Sequence, residues 1–157
     1  MKFKFYEYEK CSTCIKAKKW LSERNQDFEC IPIRENPPCS RELRRLLVSH
    51  ANERKKLLNT SSKDYRDPAV KDALPNMSDT QLFEFLGQNG NLVKRPALIA
   101  RDFVLQGFKP EVWAEKIGWC QKISVLVPNE VEWKLGLIYV IHTIFIWKIC
   151  LKFGMNL

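Results

Sequence analysis

The sequence lacks several features that would assign it quickly to a class of protein. Its first ten residues, MKFKFYEYEK, have neither the apolar core nor the small-residue cleavage site of a secretory signal. The chain has no internal repeat, no DNA-reading signature and no second Cys-x-x-Cys motif. We therefore expect a cytosolic protein that does not bind nucleic acid directly. Its six cysteines should be reduced, redox-active or buried in a core, and not a structural disulfide framework.

The composition is that of one soluble domain with an appendage. The 157 residues can bury a real core, and apolar and charged residues make up an ordinary 45% and 28%. Lys and Arg outnumber Asp and Glu by 26 to 18, which gives a net charge of +8. That charge favours anionic ligands, acidic proteins or anionic membrane surfaces. The basic run 41–56 could bind an acidic protein or nucleic acid, but such runs are more typical of a solvated helix face.

The hydrophobic pattern predicts an α/β fold. Alternating, aromatic-rich stretches indicate strands, and apolar residues at helical spacing indicate helices. Strands are expected over 2–8, 27–33, 92–100 and 103–108, and helices over 14–21, 40–47, 78–86 and 110–116. The polar stretch 50–72 gives no clear assignment. The resulting order is β-α-β, a helical middle and β-β-α, so a parallel βαβ unit and a terminal hairpin should share one sheet.

The motif EYEKCSTCIKAKKWL, residues 7–21, places two cysteines where a strand runs into a helix. Cys11 would lie at the helix N-terminus, where free N–H groups and the helix dipole favour a thiolate. Cys14 would lie one turn further on, close enough to attack a mixed disulfide formed on Cys11. Lysines surround the pair and should lower the pKa of Cys11 further. These lysines are Lys10, Lys16, Lys18 and Lys19.

Two other interpretations of the cysteine pair stay open. A zinc site needs about four ligands, and only Cys30, Cys39 and His50 could complete one, at a spacing that fits no common zinc knuckle. Alternatively, both cysteines could be inert members of the core. The strand–pair–helix context favours a reactive pair and no bound metal.

A second candidate feature is the sequence Lys94-Arg95-Pro96 at the start of the third predicted strand. A proline there either begins the strand or forms a cis bond in a tight turn. In a sheet of this order the position lies opposite the start of the first helix. Arg95 could then reach an anion or sulfur held at Cys11, and Pro96 would shape the site. A surface arginine before an ordinary trans proline is the alternative.

Several of these motifs together resemble the arsenate reductase (ArsC)/Spx family, a glutaredoxin-like branch of the thioredoxin fold. They are YEYEKCSTCIKAKKWL, IRENPP, LLNTSSKDYRD, MSDTQLFEFLGQNGNLVKRP and VLQGFKPEVW, and the similarity covers about residues 2–117. The resemblance implies a nucleophile at Cys11, an anion-contacting Arg95 and a cis-proline at Pro96. It also implies a thiol–disulfide oxidoreductase that needs no metal or other cofactor. A thiol reductant such as glutathione, glutaredoxin or thioredoxin would restore its cysteines.

The sequence departs from both branches of that family. The glutaredoxin-dependent arsenate reductases carry two further anion-binding arginines, where this chain has Asn59 and Phe108. Arsenate reduction should therefore be inefficient. Spx-type regulators share the Cys-x-x-Cys and the arginine–proline step, and they use the pair as a redox switch while binding RNA polymerase. Their glycine-containing polymerase contact is missing from SHANERKK, residues 49–56. A redox-sensing regulator of Spx/MgsR type remains the alternative function.

The resemblance ends near Gly118, so we expect a domain over 1–118 and a hydrophobic extension over 119–157. The stretch 135–147 has only His142 and Thr143 as polar side chains, and a Trp-Lys pair flanks it on each side. Aromatic and lysine residues at both ends are typical of a membrane segment, here 135–151. A helix packed on the domain or on a second subunit, and an extension without function, are the other two interpretations.

Overall fold

The computed structural model describes the backbone of residues 2–126 and the side chains of residues 2–118. The chain divides into two compact units, Met1–Cys120 and Gln121–Leu157. Most of the predicted extension, including the membrane segment 135–151, lies outside the described residues. Within residues 2–126, no helix combines the length and the apolar character needed to cross a bilayer.

A four-stranded mixed sheet forms the centre of the first unit. Its strands are β1 (Phe3–Glu7), β2 (Phe28–Pro32), β3 (Ala97–Ile99) and β4 (Val104–Gln106). The spatial order is β2-β1-β3-β4, with β1 parallel to β2 and β3 antiparallel to both β1 and β4. The predicted α/β class is confirmed, together with the parallel βαβ unit and the terminal hairpin.

Seven α-helices accompany the sheet in the described part of the chain. They are α1 (Ser12–Ser22), α2 (Ser40–Ser49), α3 (Arg54–Leu57), α4 (Lys63–Arg66), α5 (Pro68–Ala73), α6 (Asp79–Gln88) and α7 (Pro110–Leu126). The stretch without a clear assignment therefore contains three short helices. Side-chain oxygens start two of them, because Ser62 accepts from the backbone N–H of Tyr65 and Asp67 from that of Ala69.

Each face of the sheet covers its own hydrophobic core. Neighbouring residues of a strand point to opposite faces, so Tyr6 and Phe5 of β1 belong to different cores. On the Tyr6 side lie buried leucines of α2 and α6, such as Leu43 and Leu86. On the Phe5 side lie α1 and α7, the latter through the buried Trp113. The helices thus form a layer on either side of the sheet.

The third strand is shorter than the sequence predicted. Residues Gly90–Leu92 form a 3₁₀ turn, and β3 begins only after Pro96, whose nitrogen cannot donate to a sheet. The turn lies against the loop after β2: a Cβ on Gly90 would come within 1.8 Å of the carbonyl oxygen of Ile33. Only glycine permits this approach, which brings the segment around residue 91 beside the residues that follow β2.

Candidate active site around the Cys11–Cys14 pair

Cys11 occupies the N-cap position of α1, as the sequence predicted. Its backbone is extended (φ −89°, ψ 114°), and its N–H donates to the carbonyl oxygen of Tyr8 at 2.9 Å. This bond closes the turn that leads from β1 into the helix. The thiol is half-buried, and the first turn of α1 contains no acidic residue. The sulfur therefore lies at the positive end of a helix and remains accessible.

The pKa of the Cys11 thiol is lowered. Burial acts to raise this pKa, but the N–H and thiol of Cys14, the N–H of Thr13 and the Arg95 side chain together outweigh it. The free amides of Thr13 and Cys14 at the start of α1 thus favour the thiolate form of Cys11. Cys11 is therefore the more acidic thiol of the pair.

Cys14 has the opposite character. It is fully buried, and burial raises its pKa to about 12, with a further rise from the neighbouring Cys11. At neutral pH Cys14 is consequently a protonated thiol beside a thiolate-prone one. Opposite shifts of the two thiol pKa values suit a nucleophilic cysteine and a resolving cysteine.

The lysines around the pair have a smaller role than the sequence suggested. The main contributions that lower the pKa of Cys11 come from backbone amides, Cys14 and Arg95, and not from ammonium groups. Lys18 forms an ion pair with the buried Glu7, and Lys19 reaches Glu23 at 3.8 Å. Lys18 and Lys19 thus form ion pairs with carboxylates and contribute little to the acidity of the Cys11 thiol.

Arg95 and Pro96 lie where the sequence placed them, opposite the start of α1. The Arg95–Pro96 peptide bond is cis, and the buried Pro96 accepts a hydrogen bond from the N–H of Gly107 at 2.8 Å. Two contacts hold the guanidinium of Arg95. Its Nη1 donates to Oδ1 of Asn91 at 2.7 Å, and its Cζ lies 4.8 Å from the centre of the Tyr8 ring. Arg95 is thus fixed beside the thiol.

Four residues around this site were not predicted from the sequence: Tyr8, Arg34, Asp64 and Asn91. The Cζ of Arg34 lies 4.0 Å from the Tyr8 ring centre, and its Nε and Nη2 each donate to Oδ1 of Asn91 at 3.3 Å. Arg34 and Arg95 therefore share one ring and one acceptor oxygen. In turn, Nδ2 of Asn91 donates to Asp64 at 2.6 Å. Arg34 belongs to the IRENPP motif, but no local pattern linked that motif to Tyr8 or Asn91.

The two residues at the positions of the absent arginines have structural roles. Nδ2 of Asn59 donates to the backbone oxygen of Asn91 at 3.1 Å, which ties the middle region to the turn before Arg95. The ring of Phe108 packs edge-on against Trp113, with centres 5.1 Å apart, and against Trp20. The Phe108 position thus contributes an apolar contact to the aromatic core.

The residues considered for a zinc site lie on separate elements. Cys30 is exposed on β2, and Cys39 is exposed at the start of α2. His50 follows α2, and its Nε2 lies 2.8 Å from Oε1 of Gln106. Among the described residues, no group of three or more His, Cys, Asp or Glu side chains could hold a metal ion.

The fold and the site together define a class. A Cys-x-x-Cys at the start of the first helix of a βαβ unit, with a cis-proline at the start of the third strand, is the arrangement of a thioredoxin-like protein. Within this class the ArsC family model matches residues 6–116, and the chain belongs to the ArsC family.

Similar proteins cover most of the first unit. The uncharacterized protein YusI of Bacillus subtilis (strain 168) is 40% identical over 115 residues, which are 73% of this chain and 98% of YusI. The crystal structure of a "possible arsenate reductase" from Streptococcus mutans UA159 has a TM-score of 0.62 and 38% identity, and the match covers 68% of this chain and 91% of that one. The global transcriptional regulator Spx of Streptococcus agalactiae serotype V is 28% identical over 101 residues, 64% of this chain and 72% of Spx.

Proposed function

We propose that this ArsC-family protein is a thiol–disulfide oxidoreductase in which Cys11 is the nucleophile and Cys14 resolves the mixed disulfide. The observation that carries the proposal is the divergence of the two thiols. The pKa of Cys11 is lowered, whereas burial raises that of Cys14 to about 12. The similarity to the Streptococcus mutans protein, which is described as a possible arsenate reductase, supports a reductase function.

The reaction proceeds by two exchange steps. The Cys11 thiolate attacks one sulfur of a substrate disulfide, forms a mixed disulfide and releases the other half as a thiolate. This step removes the negative charge that helps to raise the pKa of Cys14. Cys14 then gives its proton to the released thiolate and attacks the sulfur of Cys11. The second half of the substrate leaves as a thiolate, which takes a proton from solvent, and the pair, now a disulfide, has given up two electrons.

Arg95 and Pro96 support these steps. The guanidinium of Arg95 stabilises the Cys11 thiolate and can hold an anionic group of the substrate near it. Pro96 fixes the backbone at the start of β3 opposite the thiol. A dithiol or two thiol molecules must then reduce the Cys11–Cys14 disulfide, so we assign glutathione, glutaredoxin or thioredoxin as the class of reductant.

Turnover of a model disulfide by the full-length chain tests this proposal. With glutathione as reductant, we expect reduction of hydroxyethyl disulfide that is abolished in Cys11→Ser. In Cys14→Ser incubated with the disulfide and no glutathione, the mixed disulfide should accumulate and appear as an added mass on the peptide that contains Cys11. Cys39→Ser, which removes an exposed thiol at the start of α2, is the matched control. Wild-type turnover in Cys11→Ser, or an adduct on another cysteine, would contradict the assignment.

A redox-sensing regulator is the second candidate function. It is favoured by the similarity to Spx, which is named a global transcriptional regulator, and by the same cysteine pair. In this case formation of the Cys11–Cys14 disulfide would change the binding of a partner, which the resemblance suggests is RNA polymerase. The regulator would be supported if the oxidised and the reduced protein bind purified RNA polymerase with different affinity, and if this difference is absent in Cys14→Ser. Equal binding in both states together with disulfide turnover would support the enzyme.

A further inference from the structure

A groove of about 880 Å³ runs along the edge of the sheet at β4. One of its walls is α2, from Arg44 to Ser49, together with the following His50, and the other is α7, through Val112 and Lys116. These helices cover opposite faces of the sheet, so a groove lined by both must follow the edge between them. Its floor is the segment from Phe103 to Gln106, which contains the edge strand.

The walls of this groove are strongly basic. Among its described lining residues, six are Lys or Arg and one, Asp102, carries a carboxylate. The six are Arg44, Arg45, Lys56, Lys94, Lys109 and Lys116. Asp102 already pairs with Arg101 at 3.2 Å, and among the described residues only Lys56 of the six forms an ion pair, with Glu53. The groove therefore presents an excess of positive charge that nothing in the described part of the chain neutralises.

One of these charges is held in place by the fold. Nη2 of Arg45 donates to the carbonyl oxygens of Ala100 at 2.8 Å and of Arg101 at 2.9 Å, in the turn that joins β3 to β4. The same nitrogen lies 3.3 Å from the carbonyl oxygen of Phe103. This arginine links α2 to the sheet edge and keeps its charge at one end of the groove, so little further side-chain freedom is lost on binding.

The groove also has an apolar component. Val48 of α2 is 63% exposed and Val112 of α7 is 41% exposed, so both walls offer methyl groups to solvent. Between them, β4 pairs with β3 on one side only. The free side of an edge strand can accept an extended peptide through main-chain hydrogen bonds.

We propose that this groove binds an extended acidic segment of another protein, in which each face of the added strand presents both acidic and apolar side chains. The segment lies along β4, its acidic residues meet the lysines and arginines of the walls, and its apolar residues contact Val48 and Val112. A nucleic acid strand would need aromatic faces on which its bases could stack. Among the described lining residues, the rings that could stack are engaged elsewhere: Phe103 packs edge-on against Phe3 with ring centres 5.9 Å apart, and the His50 ring is hydrogen-bonded to Gln106. The apolar walls and the free strand edge therefore favour a peptide.

Binding of a labelled octapeptide to the full-length protein tests the proposal by fluorescence anisotropy. Pairs of glutamates alternate with pairs of valines in this peptide, so that each face of the strand carries both residue types. We expect saturable binding that weakens at least about ten-fold in the triple variant Lys94→Gln/Lys109→Gln/Lys116→Gln, since three rim charges are lost. The control variant Lys2→Gln/Lys63→Gln/Lys71→Gln removes the same charge elsewhere and should bind as the wild type does. An equal loss in both variants would mean non-specific attraction and would overturn the proposal.

Further probes separate the parts of the proposal. A peptide N-methylated at alternate residues should bind at least about ten-fold more weakly, because it cannot pair with a strand. Val112→Glu should weaken binding of the unmodified peptide. Tighter binding of an eight-residue oligothymidylate, or concentration-dependent self-association that blocks the peptide, would replace the proposed partner by a nucleic acid or a second copy of the chain. None of these measurements depends on Cys11, so their failure would leave the proposed thiol chemistry untouched.

Discussion

Replacing Arg95 with glutamine is expected to slow alkylation of Cys11 at weakly acidic pH. A hydrogen bond to a charged group contributes about 1.5–3 kcal/mol, and a neutral bond such as glutamine can supply contributes about 0.5–1.5 kcal/mol. Because Cys11 is half-buried, water replaces part of the difference, which leaves about 1 kcal/mol. Since 1.4 kcal/mol corresponds to a factor of ten, the thiolate population should fall about five-fold.

The pH dependence distinguishes this cause from a general loss of structure. Arg95 lowers the pKa of Cys11, so its removal should shift the rate profile to higher pH. The two proteins should then react at similar rates at alkaline pH, where Cys11 is a thiolate in both. Iodoacetamide labelling, followed by mass spectrometry of the peptide that contains Cys11, measures the rate without interference from the other cysteines.

Arg24→Gln is the matched control for this experiment. It removes the same charge from the segment after α1, where the guanidinium lies 4.0 Å from the ring of Trp20, in the part of the helix that is remote from Cys11. This variant should keep the wild-type profile. If Arg95→Gln keeps it as well, or if both variants slow the reaction equally, the guanidinium of Arg95 is not what stabilises the thiolate.

Two predictions concern stability and are measured by urea unfolding. Burial acts to raise the pKa of Glu42, but hydrogen bonds, foremost that from Lys4, lower it overall. This stabilisation is complete above the unfolded-state pKa of about 4.3 and is lost as the pH falls through the lower folded-state value. Glu42→Gln should therefore lower the free energy of unfolding by about 1–3 kcal/mol at pH 7, and at pH 2–3 its stability should approach that of the wild type. An equal loss at both pH values would show that the carboxylate charge is not the cause. Gly90→Ala should destabilise by about 3 kcal/mol or more, because its Cβ would meet the carbonyl oxygen of Ile33 at 1.8 Å. Gly87→Ala, with nothing within 4 Å, should be neutral or stabilise by up to about 1 kcal/mol, and similar losses in both variants would contradict the close approach.

The order of the elements could be predicted from the sequence because their patterns are local. Alternation identified β1 and β2, and the capping box of Ser78 and Gln81 identified the start of α6, where the Ser78 N–H donates to Oε1 of Gln81 at 2.8 Å. The helices of 50–72 were not predicted because they have only four to six residues each. Such short helices carry no hydrophobic period, and their stability comes from side-chain caps and from packing against distant parts of the chain.

The composition of the site was predicted less completely than its position. Cys11, Cys14 and the Arg95–Pro96 step follow from the motif and from the strand order. The contacts of Arg34 with the site could not be predicted in this way, since its partners come from the end of β1 and from the turn that follows α6. Segments so far apart in sequence are brought together by the packing of Gly90 on the loop after β2. That packing leaves no periodic signal in the sequence.

The charges of the site also bear on the substrate. The arsenate reductases that this chain resembles hold a small oxyanion with three arginines, whereas here Phe108 packs into an aromatic core and Asn59 bonds to the backbone. The guanidinium groups of Arg34 and Arg95 share one acceptor oxygen and therefore lie next to each other, with Arg95 beside the thiol. Two adjacent guanidinium groups suit the carboxylate of a larger thiol compound, because the carboxylate can bind them while the sulfur of the same compound reaches Cys11. We therefore expect disulfide exchange with an acidic thiol such as glutathione to be faster than reduction of arsenate.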